Sequence, residues 1–149
     1  MATLERAIEI AKTAHAGQFD KAGKPYIFHP IRVMLRVHNE FEKMVAVLHD
    51  VVEDTPVTLE DLKREGFLPE VVQAIDALTK RPGETRLEAA KRAAAHPLAR
   101  TVKLADNAEN MDLSRIPNPT ERDYERLREY EKVRAGWKAR APVLRAMPR

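Results

Sequence analysis

No cysteine occurs among the 149 residues, which excludes a disulfide framework and any thiolate metal site. A bound metal would have to be held by imidazole and carboxylate groups, a ligand set suited to Mn, Fe, Zn, Ni or Co. No run of 18 apolar residues is present, so no membrane-spanning helix is expected. The first residues, Met1-Ala2-Thr3-Leu4-Glu5, lack a basic segment followed by an apolar run. That argues against a secretory signal and makes the cytoplasm the expected location. Charge of one sign is also scarce: 26 basic and 23 acidic residues leave a net +3. So small and mixed a balance does not indicate nucleic-acid binding. It leaves room for a local cationic pocket that takes a phosphorylated small molecule. A homo-oligomer is compatible with the sequence.

The composition, 44% hydrophobic and 33% charged, is that of a globular chain with one core. A single domain over residues 1–149 is expected, with residues 139–149 as a loosely packed tail. The pattern is all-α. Leu4, Ile8, Ala11 and His15 recur at helical spacing and predict a first helix over about 3–16, ended by Gly17. A polar loop follows to residue 28. Pro30 stands where a helix can begin, with Ile31, Met34, Leu35 and His38 along one face. Residues 42–52 are mostly apolar and predict a central helix closed by Thr55-Pro56. Shorter helices are expected after Thr58, from Pro69, over 84–95 and from Pro97. A last one is expected from Thr120 to about Trp137, with Tyr124, Leu127 and Tyr130 facing inward or toward a partner subunit.

The segment His49-Asp50-Val51-Val52-Glu53-Asp54 places a histidine and three carboxylates within six residues at the end of that apolar helix. A core has no use for such a group, whereas a divalent metal with a water to activate does. Distant ligands are offered by His29, which follows Tyr26-Ile27-Phe28, and by Asp106, which ends Val102-Lys103-Leu104-Ala105. His29, His49, Asp50 and Asp106 form a two-histidine, two-aspartate set. Glu53 and Asp54 lie one helical turn beyond His49 and Asp50, where a carboxylate can orient water or accept its proton. Lys21 and Lys24 precede His29, and Lys103 precedes Asp106, so cationic donors for phosphate lie nearby. Asn110 follows Asp106 by one turn and can donate to a ribose or phosphate oxygen. His15 reads as a packed helix residue and is left outside the metal set. His38 and His96 read as surface or loop residues.

Four segments carry a resemblance. His15-Ala16-Gly17-Gln18, Gly23-Lys24-Pro25-Tyr26-Ile27-Phe28-His29-Pro30, His49-Asp50-Val51-Val52-Glu53-Asp54-Thr55 and Lys103-Leu104-Ala105-Asp106 stand in that order. Together they resemble the hydrolase domain of RelA/SpoT-type alarmone enzymes, in the HD superfamily of metal-dependent phosphohydrolases. The likeness runs from about residue 3 to residue 113. It implies an HD-domain helical bundle and a Mn²⁺ ion on His29, His49, Asp50 and Asp106. It also implies that Glu53 and Asp54 serve the attacking water, and that Asn110 borders the nucleotide pocket. The implied reaction removes the 3′-pyrophosphate from guanosine tetra- or pentaphosphate.

Two stretches depart from the family pattern. Gln18-Phe19-Asp20-Lys21 stands where the family usually reads Gln-aromatic-Arg-Lys, so an anion replaces an arginine on the guanine side. Asp106-Asn107-Ala108-Glu109-Asn110 stands where Asp-Arg-Leu-His-Asn is usual, which loses a basic position and adds an acid. Two alternatives follow from these departures: a nucleotidase or phosphomonoesterase of the same superfamily, and a sensor that binds an alarmone without turnover.

Overall fold

The computed structural model describes residues 1–112, 120–122, 124, 125, 127, 128, 131 and 132. Its helices are α1 (Leu4–Ala14), α2 (Phe28–Leu35), α3 (Glu40–Leu48), α4 (Val51–Asp54), α5 (Leu59–Glu65), α6 (Pro69–Leu78), α7 (Arg86–Ala94) and α8 (Pro97–Asn110). The described residues between 121 and 132 are helical too. Among the described residues the only β-pairing is the isolated bridge between Phe19 and Pro25. The all-α expectation holds, and among the described residues no helix is long and apolar enough to cross a membrane.

Side chain–backbone caps explain where several helices start. Asn39 with Glu42, Thr58 with Asp61 and Thr85 with Glu88 form reciprocal capping boxes. Pro69 and Pro97 occupy first-turn positions, where the missing N–H costs nothing. α5 ends on Gly66 at φ +95, a left-handed conformation that glycine adopts without a Cβ penalty. α3 is the axis of the bundle. Met44, Val45, Ala46, Val47 and Leu48 are all buried, so its whole circumference is covered, by α1, α2, α6 and α8.

Three boundaries differ from the sequence reading. α2 begins at Phe28, two residues before Pro30, and ends at Leu35. His38 therefore lies beyond it, and its backbone N–H donates to Glu42 in the cap of α3. α1 stops at Ala14, short of residue 16. The expected single helix over 42–52 is divided, with α3 ending at Leu48 and α4 starting at Val51. The cause is local. The His49 ring Nδ1 contacts the Ala46 carbonyl at 2.5 Å, taking the acceptor that the Asp50 amide would use in a continuous helix. Asp50 turns to φ −101, ψ −4, the bridge region between the main allowed basins.

Of the last helix, Tyr124 is 43% exposed and does not face the core. Tyr130, Trp137 and the 139–149 tail lie outside the described residues.

Candidate metal centre

The break between α3 and α4 makes the site. In an unbroken helix adjacent side chains diverge by about 100°. With the turn opened, His49 and Asp50 converge, and the His49 Nε2 lies 3.1 Å from Asp50 Oδ2. The first turn of α2 brings His29 alongside. One ligand atom from each of His29, His49 and Asp50 falls within 4.8 Å of the others. α8 supplies Asp106, whose Oδ1 is 2.9 Å from His29 Nε2 and 3.4 Å from His49 Nε2. All four residues of the expected ligand set are therefore in one place, and His29, His49 and Asp106 are buried.

The donor set suits a cation. The His49 Nδ1–H is spent on the Ala46 carbonyl, which leaves Nε2 as the lone-pair nitrogen. That Nε2 is buried and has no hydrogen-bond partner, yet carboxylate oxygens face it from two sides. A lone pair among anionic oxygens is stable only with a positive charge between them. Metal-free, a proton takes that part. Burial disfavours a charged His49 ring, but Asp50 and Asp106 outweigh it and raise its pKa well above the usual value. Against the opposing effect of burial, His49 holds Asp50 down at about 2, and Lys103 and His49 hold Asp106 well below the ordinary carboxylate range. A divalent ion would replace that proton with a stronger positive charge.

The second set of acids sits on α4. Asp50, Glu53 and Asp54 also bring carboxylate oxygens within 4.8 Å of one another. Glu53 accepts from the Lys80 backbone N–H at 2.6 Å, which ties it to the loop after α6. Asp54 is raised to about 6, by partial burial first and then by its neighbours Asp50 and Glu53.

Two clefts reach the cluster. One, of about 290 Å³, is lined by Phe19, Asp20, Lys21, Tyr26, His29, Arg32 and Asn110 among others. The second, of about 180 Å³, includes His49, Asp50, Glu53, Lys80, Arg86 and Lys103. Lys21 and Asn110 thus line the first cleft and Lys103 the second. Lys103 and Asn110 also hold Asp106, at 3.2 and 3.0 Å. Lys24 lines neither cleft, and its backbone closes the 20–24 turn instead.

The two departures acquire structural roles. Asp20 Oδ1 accepts from the backbone N–H of Ala22 and of Lys24, both at 2.9 Å, so its carboxylate builds the turn. Glu109 is buried and accepts from Arg32 Nε and Arg36 Nε, each at 3.0 Å, which clamps α8 to α2. Several residues around the site carried no signal of their role. Tyr26 donates its hydroxyl to Asp50 Oδ2. His15, expected as a packed residue outside the metal set, is indeed 2% exposed, and its ring lies 5.0 Å from that of Tyr26. Burial lowers its pKa, so it stays neutral. Lys80 and Arg86 reach the second cleft because Arg92 folds the intervening loop, bonding Glu84 and the Thr79 carbonyl. The one available hint was the basic run around the Pro82-Gly83 break.

No family model matches the chain. Over 86 residues, 54% of its length, it is 45% identical to a guanosine-3′,5′-bis(diphosphate) 3′-pyrophosphohydrolase of Haemophilus influenzae. Over 132 residues, 80% of its length, it is 35% identical to a probable GTP pyrophosphokinase of Mycobacterium leprae. It spans only 13% and 17% of those two proteins. Among solved structures it superposes with a TM-score of 0.79 and 27% identity on a metazoan ortholog of SpoT that hydrolyses ppGpp, covering 92% of this chain and 86% of that one. The break at His49-Asp50, the inward-facing His29 and Asp106, and these relatives agree: the chain carries an all-α HD-type domain of the RelA/SpoT kind.

Proposed function

We propose that this protein is a Mn²⁺-dependent phosphohydrolase that removes the 3′-pyrophosphate from guanosine tetra- or pentaphosphate. The observation that carries the reading is the cluster of His29, His49, Asp50 and Asp106, reached by two clefts, the second of which carries Lys80, Arg86 and Lys103. The similarity to proteins named for this activity supports it. Held by those four residues, a divalent ion would supply Lewis acidity toward a phosphate oxygen and toward water.

The chain's own groups do the rest. Asp54, on the turn beside Asp50 and Glu53, takes a proton from water as an ionised carboxylate. Glu53, fixed by the Lys80 amide, orients that water. Lys80, Arg86 and Lys103 offset phosphate charge in the second cleft. Lys21 and Asn110 meet the nucleoside side in the first. Phe19, 67% exposed at the rim of that cleft, offers a flat apolar face to a base. With Asp20 committed to its turn, base selectivity falls to Phe19 and Asn110 rather than to an arginine.

The test is product analysis with Mn²⁺-loaded protein and a panel of nucleotides that includes guanosine tetraphosphate. GDP and pyrophosphate, lost in Glu53→Gln and Asp54→Asn, are expected. Orthophosphate as the product would place the protein among phosphomonoesterases. Tight binding without turnover, with metal bound, would make it a sensor.

A further inference from the structure

α4 is one turn of four residues, yet it carries both Glu53 and Asp54. A single turn does not persist by itself, because nucleation costs more than its few hydrogen bonds return. Its geometry must be imposed from outside. Val51 is fully buried, and the Thr55 hydroxyl donates to the Val51 carbonyl at 2.6 Å. Glu53 is tied to the Lys80 amide. The remaining tie is from the His15–Gln18 segment. Gln18 Nε2 donates to the Asp54 carbonyl at 3.1 Å, filling one of the acceptors that a helix end leaves without an internal partner.

The strut is itself braced. His15 Nδ1 and Gln18 Oε1 are 2.8 Å apart, and since the amide NH₂ points at Asp54, the ring nitrogen is the donor. His15 thus decides which way the amide faces. The Gln18 backbone is held at both ends, its N–H donating to the His15 carbonyl at 3.0 Å and its carbonyl accepting from Tyr26 at 2.8 Å. Gly17, at φ +83, makes the turn that brings Gln18 round. A Cβ there would meet no atom within 4 Å, so the backbone conformation sets the requirement, not space.

We propose that Gln18, oriented by His15, is a positioning residue that holds α4 and so places the Asp54 carboxylate. The catalytic half of this inference rests on the hydrolase reading above, and the structural half does not. Gln18→Met keeps the length of the side chain and removes the bond. In full-length protein, with and without Mn²⁺, amide exchange followed by mass spectrometry should accelerate in the segment holding Asp54 and Thr55 by about tenfold or more, while the segment holding Val45–Leu48 in α3 keeps wild-type rates. With the cleaved nucleotide as substrate, kcat should fall about tenfold while KM and Mn²⁺ content stay within about twofold. His15→Phe, which keeps a ring and loses the Nδ1 donor, should show the same pattern in weaker form. Unchanged exchange at α4 would overturn the proposal, as would a variant that raises KM or loses metal at constant kcat. If wild-type protein cleaves no nucleotide, the hydrolase reading fails, and the exchange measurement alone decides whether the strut holds α4.

Discussion

Glu109 offers the sharpest stability test. Its side chain is 4% exposed and takes one hydrogen bond from each of two guanidinium groups, Arg32 and Arg36, at 3.0 Å. A bond to a charged group contributes roughly 1.5–3 kcal/mol net. The two arginine side chains are 28% and 41% exposed, so both recover hydration when the carboxylate is neutralised. Glu109→Gln should therefore lose less than the sum of two bonds, about 2–3 kcal/mol. At this chain length that lowers Tm by about 4–12 °C. The reverse perturbation is unequal. Replacing both Arg32 and Arg36 by glutamine leaves a buried carboxylate without those two cations, and should cost about 3–5 kcal/mol. Urea unfolding in EDTA at neutral pH, with unchanged slopes, measures both. The reasoning is refuted if Glu109→Gln lies within about 0.5 kcal/mol of wild type, or if the double variant is the milder of the two. Because the clamp joins the helices bearing His29 and Asp106, both variants should also bind Mn²⁺ more weakly.

Mn²⁺ at a hundredfold excess over its Kd should stabilise the protein by about 2.7 kcal/mol, read as a Tm shift against EDTA, and an equal shift in Asp106→Asn would contradict the ligand assignment. In metal-free protein the folded Asp54 pKa, about 6, lies above its ordinary value of 3.8, so folding favours the neutral acid. The stability it contributes is present below the ordinary value and is lost as pH rises through about 6. Asp54→Asn should thus flatten the fall in apo-protein Tm between about pH 4 and 7, and parallel curves for the two proteins would count against the raised pKa. Phe19→Ala should raise KM several-fold at constant kcat in steady-state assays, whereas an unaltered KM would remove Phe19 from the substrate surface.

The helical layout was legible because caps and prolines are written locally: Thr58 with Asp61, Pro69 and Pro97 each mark a start that the structure keeps. The clustering of the expected ligands was legible because a His-Asp pair at the end of an apolar run is costly without a purpose, and the structure brings His29 and Asp106 beside it. The break at His49 was not legible, since it depends on a ring nitrogen competing for a backbone carbonyl, and hydrophobic periodicity carries no trace of that. Lys80 and Arg86 escaped for a similar reason. Their approach to the cluster is set by Arg92, eight positions from the loop acid that it binds. Asp20 and Glu109 looked like charges lost from a substrate surface. Burial and pairing, which a sequence does not display, give them structural work instead.

The turn built by Asp20 also constrains what position 20 can hold. Its carboxylate oxygen accepts from two backbone amides at once. An arginine accepts from none. An arginine at position 20 would remove the acceptor of both amides, leaving the backbone bonds from Asp20 N–H to Lys24 and from Gly23 N–H to residue 20 to hold the turn. The cleft rim presented by Phe19 and Lys21 thus leans on an acid at position 20.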